Sequence, residues 1–241
     1  MTGRAGRQTW GILGGLGPLA SAAFLQTVYE QYSGVPEQEL PTCLMISDPT
    51  FPDRTTRLLR GEYEELSRRL EEALSKLVGM GADRLFIACV TIHAVLPRVP
   101  GALRDRVTSL LDVVAREVLA RDEPQLLACT LGTYDLELFQ NLSPAVASRL
   151  VIPSPRDRES IHRLLYRIKA GADLDPCLKG LESLLERYRV GSFVAGCTEL
   201  HLLTRRLPRD SGISFIDPLD IVARRHLGPG SRIERKVLEP R

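Results

Sequence analysis

The stretch L-F-I-A-C-V-T-I-H-A-V-L-P-R-V-P, residues 85–100, decides the architecture, because a near copy returns as F-V-A-G-C-T-E-L-H-L-L-T-R-R-L-P, residues 193–208. Superimposing Cys89 on Cys197 places His93 on His201, Arg98 on Arg206 and Pro100 on Pro208, so the correspondence runs through polar positions as well as apolar ones. Each copy reads as an apolar strand that ends on a cysteine. The repeat therefore implies two related lobes, each presenting one thiol. Open α/β sheets hold ligands beyond the carboxyl ends of their strands, and Cys89 and Cys197 are expected to face each other across a cleft there.

Outward from the repeat, the chain alternates strand and helix signals. Strands are predicted at 10–13, 42–47, 85–88, 125–130, 151–152, 192–195 and 213–216, with helices at 19–32, 62–79, 103–121, 160–169, 176–189 and a helical tail to His226. Strand and helix in alternation predict an α/β fold of two pseudosymmetric lobes, each a mainly parallel sheet flanked by helices, with the active site in the cleft between them. The first lobe is drawn over 1–104 and the second over 105–210, with D-E-P at 122–124 as a break. Residues 211–241 are expected to return to the first lobe, ending in a charged terminus. The turn G-G-L-G-P-L-A-S carries Gly14, Gly15 and Gly17 but meets neither G-x-G-x-x-G nor the Walker spacing. No nucleotide cofactor is expected; the turn instead lets backbone approach a small anion.

At 241 residues and 44% apolar content the chain can bury a substantial core. Lys and Arg number 32 against 30 Asp and Glu, and the two signs are interleaved, which leaves no nucleic-acid footprint. No apolar run approaches the length of a membrane span, and the N-terminal M-T-G-R-A-G-R-Q-T-W lacks the apolar core of a signal peptide. Five cysteines, an odd number without C-x-x-C pairs, point to free thiols in a reducing cytoplasm.

Two thiols facing a small cleft suit one reaction class. One thiolate removes a proton from a carbon acid while the opposite thiol protonates the other face, which inverts a stereocentre. A thiol ordinarily titrates at about 8.5 and is lowered near a helix N-terminus or a cation, so a cysteine at a strand-to-helix turn is a workable acid or base. Isolated free cysteines are usually small apolar side chains, the reading given to Cys43, Cys129 and Cys177. The shared C-x-x-x-H spacing of Cys89 with His93 and Cys197 with His201 offers a weaker alternative, a zinc site. His93 is otherwise a hydrogen-bonded helix residue or a catalytic one.

Seven motifs in order carry a resemblance: G-I-L-G-G-L-G-P-L-A from Gly11, F-P-D-R-T at 51–55, C-x-T-x-H at 89–93, L-G-T at 131–133, I-K-x-G at 168–171, G-C-T-E at 196–199 and D-P at 217–218. Together they resemble the aspartate/glutamate racemase superfamily, closest to its aspartate racemase branch. The resemblance implies a cofactor-independent isomerase, commonly a homodimer, that binds a small amino or carboxylic acid between catalytic Cys89 and Cys197. It further implies that Arg54 and Lys169 hold substrate carboxylates. Gly14, Gly15, Val90, Thr91, Thr133, Thr198 and Glu199 complete the expected substrate-binding set; no metal is expected. An Arg fork suits a carboxylate and a Lys supplies a point charge. The alternatives are a loop salt bridge from Arg54 to Asp48 or Asp53 and a solvated helix end for Lys169.

Three positions depart from the family pattern. Val90 stands where Asn is usual, which would leave a polar substrate group unpaired at a cost of about 1–3 kcal/mol. Leu136 replaces a small hydroxyl residue, and His201 stands where proline is expected. The first two changes favour a less polar acid and keep open a cysteine-dependent isomerase, decarboxylase or cyclase, or a non-catalytic small-acid binding protein.

Overall fold

The computed structural model describes residues 8–208 and 211–225. Its first sheet is built from β1 (Thr9–Gly14), β2 (Thr42–Ser47) and β3 (Arg84–Ile87), all parallel, in the order β2-β1-β3. Helices α1 (Pro18–Glu30), α2 (Arg54–Leu59) and α3 (Tyr63–Gly79) connect these strands. A 3-10 turn (Thr91–Arg98), α4 (Gly101–Arg104) and α5 (Leu110–Leu119) then lead to the second sheet. This sheet consists of β4 (Gln125–Ala128), β5 (Leu150–Val151), β6 (Ser192–Ala195) and β7 (Ser214–Ile216), again parallel, in the order β5-β4-β6-β7. Its helices are α6 (Leu131–Asp135), α7 (Pro144–Ala147), α8 (Pro155–Lys169), α9 (Leu174–Tyr188), α10 (His201–Thr204) and α11 (Pro218–Arg225). Two parallel sheets flanked by helices are the α/β architecture read from the repeat.

Alternation along the strands divides the core. Ile12 and Phe86 from the first sheet join Leu127 and Val194 from the second in one shared cluster, closed by Val114 and Val118 of α5 and Val222 of α11. The intervening residues point the other way, as a two-residue period requires. Leu13, Leu85 and Ile87 pack on Leu70, Leu74 and Leu77 of α3, while Leu126, Phe193 and Ala195 pack on Ile161 and Leu165 of α8 and Leu181 of α9. The sheets are thus joined through a common interior.

Three expectations are corrected. The last strand does not return to the first lobe: β7 pairs with β6 in the second sheet, and only α11 reaches back to pack against α1 and α5. Arg121 explains the placement, since its guanidinium donates to Ser214 Oγ at 2.7 Å, Ser192 Oγ at 3.3 Å and the Phe215 carbonyl at 2.9 Å. The helix predicted over 103–121 is broken, because Leu85 exchanges hydrogen bonds with Arg106 and Thr108 along the edge of β3. The helix restarts at α5, where Ser109 Oγ caps the Asp112 amide. The P-S-P-R-D-R segment is no loop: Ser154 accepts from the Asp157 amide and Pro155 occupies the first turn, so α8 begins five residues earlier than periodicity alone indicates.

The end of the helical tail at His226, the charged terminus and residues 1–7 of the polar leader lie outside the described residues. Among those described, no helix is long and apolar enough to cross a membrane. Replacing Arg121 with Met should unfasten β7, lowering stability by about 1–3 kcal/mol in urea denaturation because buried partners lose their donor.

Candidate active site

Both cysteines lie just past the ends of central strands, Cys89 two residues after β3 and Cys197 two after β6, and both are buried. The two strand ends are tied directly: Thr198 Oγ1 donates to the Ala88 carbonyl at 3.2 Å, one residue from each cysteine. A second tie is a hydroxyl cluster in which Thr91, Thr130 and Thr133 lie 3.0–3.2 Å apart, all buried. Of the threonines named from the sequence, Thr91 and Thr133 meet in this cluster with Thr130, while Thr198 bonds to the Ala88 carbonyl.

Around Cys197 the sequence G-C-T-E folds so that Glu199 turns back on the thiol. Cys197 Sγ donates to Glu199 Oε2 at 2.7 Å. Burial first, and then the Glu199 carboxylate, push the Cys197 thiol well above its ordinary pKa, so it is protonated near neutrality; Cys89 lies near enough to add to the effect. The other carboxylate oxygen stands 4.0 Å from Lys169 Nζ. Lys169 ends α8 but is turned inward over the Tyr166 ring, 4.5 Å from its centroid, and is not a solvated helix end. Burial lowers its pKa, yet Glu199 and the two cysteines together leave it above its ordinary value.

Arg54 opens α2 behind the cap Asp53, whose Oδ1 accepts the Thr56 amide at 2.8 Å. Its guanidinium donates to the carbonyls of Leu16, Pro52 and Phe51. Neither alternative salt bridge forms: Asp48 takes Arg69 at 2.8 Å, and Asp53 Oδ2 takes the Tyr166 hydroxyl at 2.6 Å. Burial disfavours the Arg54 charge, but Cys89, Asp53 and Glu199 outweigh it. The Asp53–Tyr166 bond joins the two lobes beside the cations. Burial and this carboxylate raise Tyr166 to about 12, which keeps it a hydroxyl donor.

Other expected residues have different tasks. Gly15 adopts φ +86°, a Cβ there would fall 2.2 Å from the Asp48 backbone nitrogen, and its amide donates to Ser21 Oγ at 3.1 Å. That amide is committed to Ser21 instead of an anion. Gly14 lies against Ser21 and Met45, a packing position. Gly17 is the glycine that borders the site, because a Cβ on it would stand 2.2 Å from Glu199 Oε1. Val90 is buried in the shared core with Ala88, Cys129 and Tyr134, and leaves no unpaired protein group beside it among the described residues. Leu136 packs across the lobes onto the cluster containing Phe51, Leu58 and Cys89. Both departures therefore take part in packing.

The two histidines of the repeat do not converge with the cysteines on a metal position. His93 Nδ1 donates to the Cys89 carbonyl at 2.9 Å, and its Nε2 accepts the Leu110 amide at 3.2 Å. His201 meets Asp217 at 2.6 Å and Thr27 at 2.9 Å. Each ring joins its strand-end turn to a neighbouring element: His93 to the start of α5, His201 to α1 and the residue before α11.

The geometry is thus a buried thiol just past the end of a strand in each of two parallel sheets that share one core, with the strand ends tied by a hydrogen bond. The family model of Asp/Glu/Hydantoin racemases matches residues 13–225, and the chain belongs to that family. Its fold is similar to that of the aspartate racemase of Picrophilus torridus, at TM-score 0.79 and 19% identity over 94% of this chain and 96% of that one. It is also similar to an aspartate racemase homologue from Pyrococcus horikoshii, at TM-score 0.68 and 22% identity over 92% and 97% of the two chains. Glutamate racemase from Francisella tularensis in complex with D-glutamate matches at TM-score 0.60 and 13% identity, covering 94% of this chain and 84% of that one.

Burial holds His93 down to about 4, against 6.5 for an ordinary imidazole. An unfolded chain then takes up the proton first as pH falls, so the contribution is full above pH 6.5 and is lost between there and about 4. Thermal melts should weaken over that window, and His93→Gln should make the loss shallower.

Proposed function

We propose that this family member is a cofactor-independent racemase or epimerase of aspartate or a related acidic amino acid, with Cys89 and Cys197 acting on opposite faces of the α-carbon. The observation that carries the reading is a buried thiol just past the end of each of β3 and β6, two strand ends that the Thr198–Ala88 hydrogen bond ties together. Charge supports the substrate class. Arg54 and Lys169 supply two cations and Glu199 one anion, the complement of two carboxylates and one ammonium. The D-glutamate held by the Francisella tularensis enzyme belongs to the same chemical class.

In the proposed cycle Cys89, beside the Arg54 guanidinium, takes the α-proton as a thiolate. The C–H electron pair remains on carbon, stabilised through carboxylate oxygens near Arg54 and Lys169. Cys197 then gives its S–H proton to the opposite face. The new C–H bond inverts the centre, leaving Cys89 protonated and Cys197 as the thiolate, ready for the other enantiomer. Preorganised cations and exclusion of water make such proton transfers feasible. The family resemblance also carries a homodimer, and the five free thiols suit a reducing cytoplasm.

Chiral chromatography of L- and D-aspartate and glutamate tests the reading. Wild-type protein should interconvert at least one pair, and Cys89→Ala or Cys197→Ala should each cost about 10²–10⁴-fold. Full activity in both variants contradicts the mechanism. Turnover of an acid without interconversion would favour the decarboxylase, cyclase or other isomerase reading, and binding without turnover the non-catalytic one.

A further inference from the structure

Two charged side chains at the lobe seam keep an atom buried and without a hydrogen-bond partner among the described residues: Arg54 at Nε and Glu199 at Oε1. Both are more than nine-tenths buried, with exposures of 8% and 2%. Buried polar atoms are normally paired, and each unpaired one calls for an explanation. One atom is a donor on a cation and the other an acceptor on an anion. A free α-amino acid presents the matching pair, a carboxylate for Arg54 and an ammonium for Glu199.

The environment of Glu199 sharpens the match. Its Oε2 is occupied by the Cys197 thiol at 2.7 Å. Lys169 Nζ, 4.0 Å from Oε1, is beyond hydrogen-bond range. Oε1 occupies space that exists only because residue 17 has no side chain. An ammonium seated on Oε1 would place its own carbon next to the thiol that the same carboxylate orients. It would also offset the negative charge that helps retain the Cys197 proton.

We propose that Glu199 is the receptor for the substrate's α-ammonium group, so that the site selects free α-amino acids over hydantoins, hydroxy acids and other acids that lack it. This deepens the proposed function and rests on it for one point only, that the reacting carbon lies beside Cys197. The ammonium contact is separable from the second carboxylate, which distinguishes acidic amino acids from neutral ones.

Isothermal titration calorimetry with two matched pairs tests the assignment: L-aspartate against succinate, and L-leucine against 4-methylpentanoate. Wild-type protein should bind the amino member at least tenfold more tightly in whichever pair it accepts. Glu199→Gln should remove that preference by weakening the amino member about tenfold or more while leaving the amino-free acid unchanged or tighter. Gly17→Ala, which displaces Oε1, should cause the same selective loss and serves if the Gln variant does not fold. Equal affinity within a pair, a preference retained in the variants, equal weakening of both members, or no binding of any probe overturns the proposal. A Glu199-dependent preference confined to the leucine pair would uphold it while removing the acidic substrate of the proposed function.

Discussion

The hydrogen bond from the Thr198 hydroxyl to the Ala88 carbonyl is the constraint on which the site depends. Each partner neighbours a cysteine in sequence, so the contact fixes the ends of β3 and β6 against each other. Its own net contribution is of the order of 1 kcal/mol. What gives it leverage is position, because one buried cluster already draws residues from both sheets. Hydroxyl contacts of Thr91 with Thr130 and Thr133 add a second link, from the turn after β3 to the turn after β4. A small hydroxyl can bridge two backbones at a distance where longer side chains would push the lobes apart.

The two halves are related but electrically unlike. Arg54 bears on the Cys89 side, while Glu199 and then Lys169 stand behind Cys197. The pseudosymmetry survives most clearly in the histidines, which occupy equivalent positions and perform equivalent fastening with different partners. His93 accepts a helix amide; His201 engages Asp217 and Thr27, and Asp217 also accepts from Thr204. Duplication of a strand, turn and histidine thus supplies two similar frames, and the residues just after each cysteine, Val-Thr in one and Thr-Glu in the other, make the frames chemically distinct.

Much of this was legible in the chain. Residues 42–47 and 192–195 are apolar runs bounded by turn residues, and both are the strands observed. The repeat located the cysteines, and the order of motifs located Arg54 and Lys169. Local periodicity could not reveal where β7 pairs, because that depends on Arg121, more than 90 residues away in the chain. Nor could it reveal that Val90 faces the shared core, since the turn after β3 ends the strand's alternation. Two signals were present and unread. Ser154-Pro155-x-Asp157 is a helix start, and His162, Tyr166 and Lys169 fall at i, i+4 and i+7, one face of α8. On that face His162 accepts the Leu131 amide at 3.4 Å, Tyr166 bonds to Asp53 across the lobes and Lys169 stands 4.0 Å from Glu199.

The central claim, two thiols serving opposite faces of one carbon, is tested most directly by early-turnover racemisation of aspartate in deuterated water. Proton NMR and mass spectrometry would follow the α-position in remaining substrate and in product separately. Two facing bases predict deuterium in the product enantiomer while the remaining substrate keeps its α-proton. Deuterium appearing equally in both, or inversion that retains the original proton, would mean that a single base serves both faces and would contradict the account.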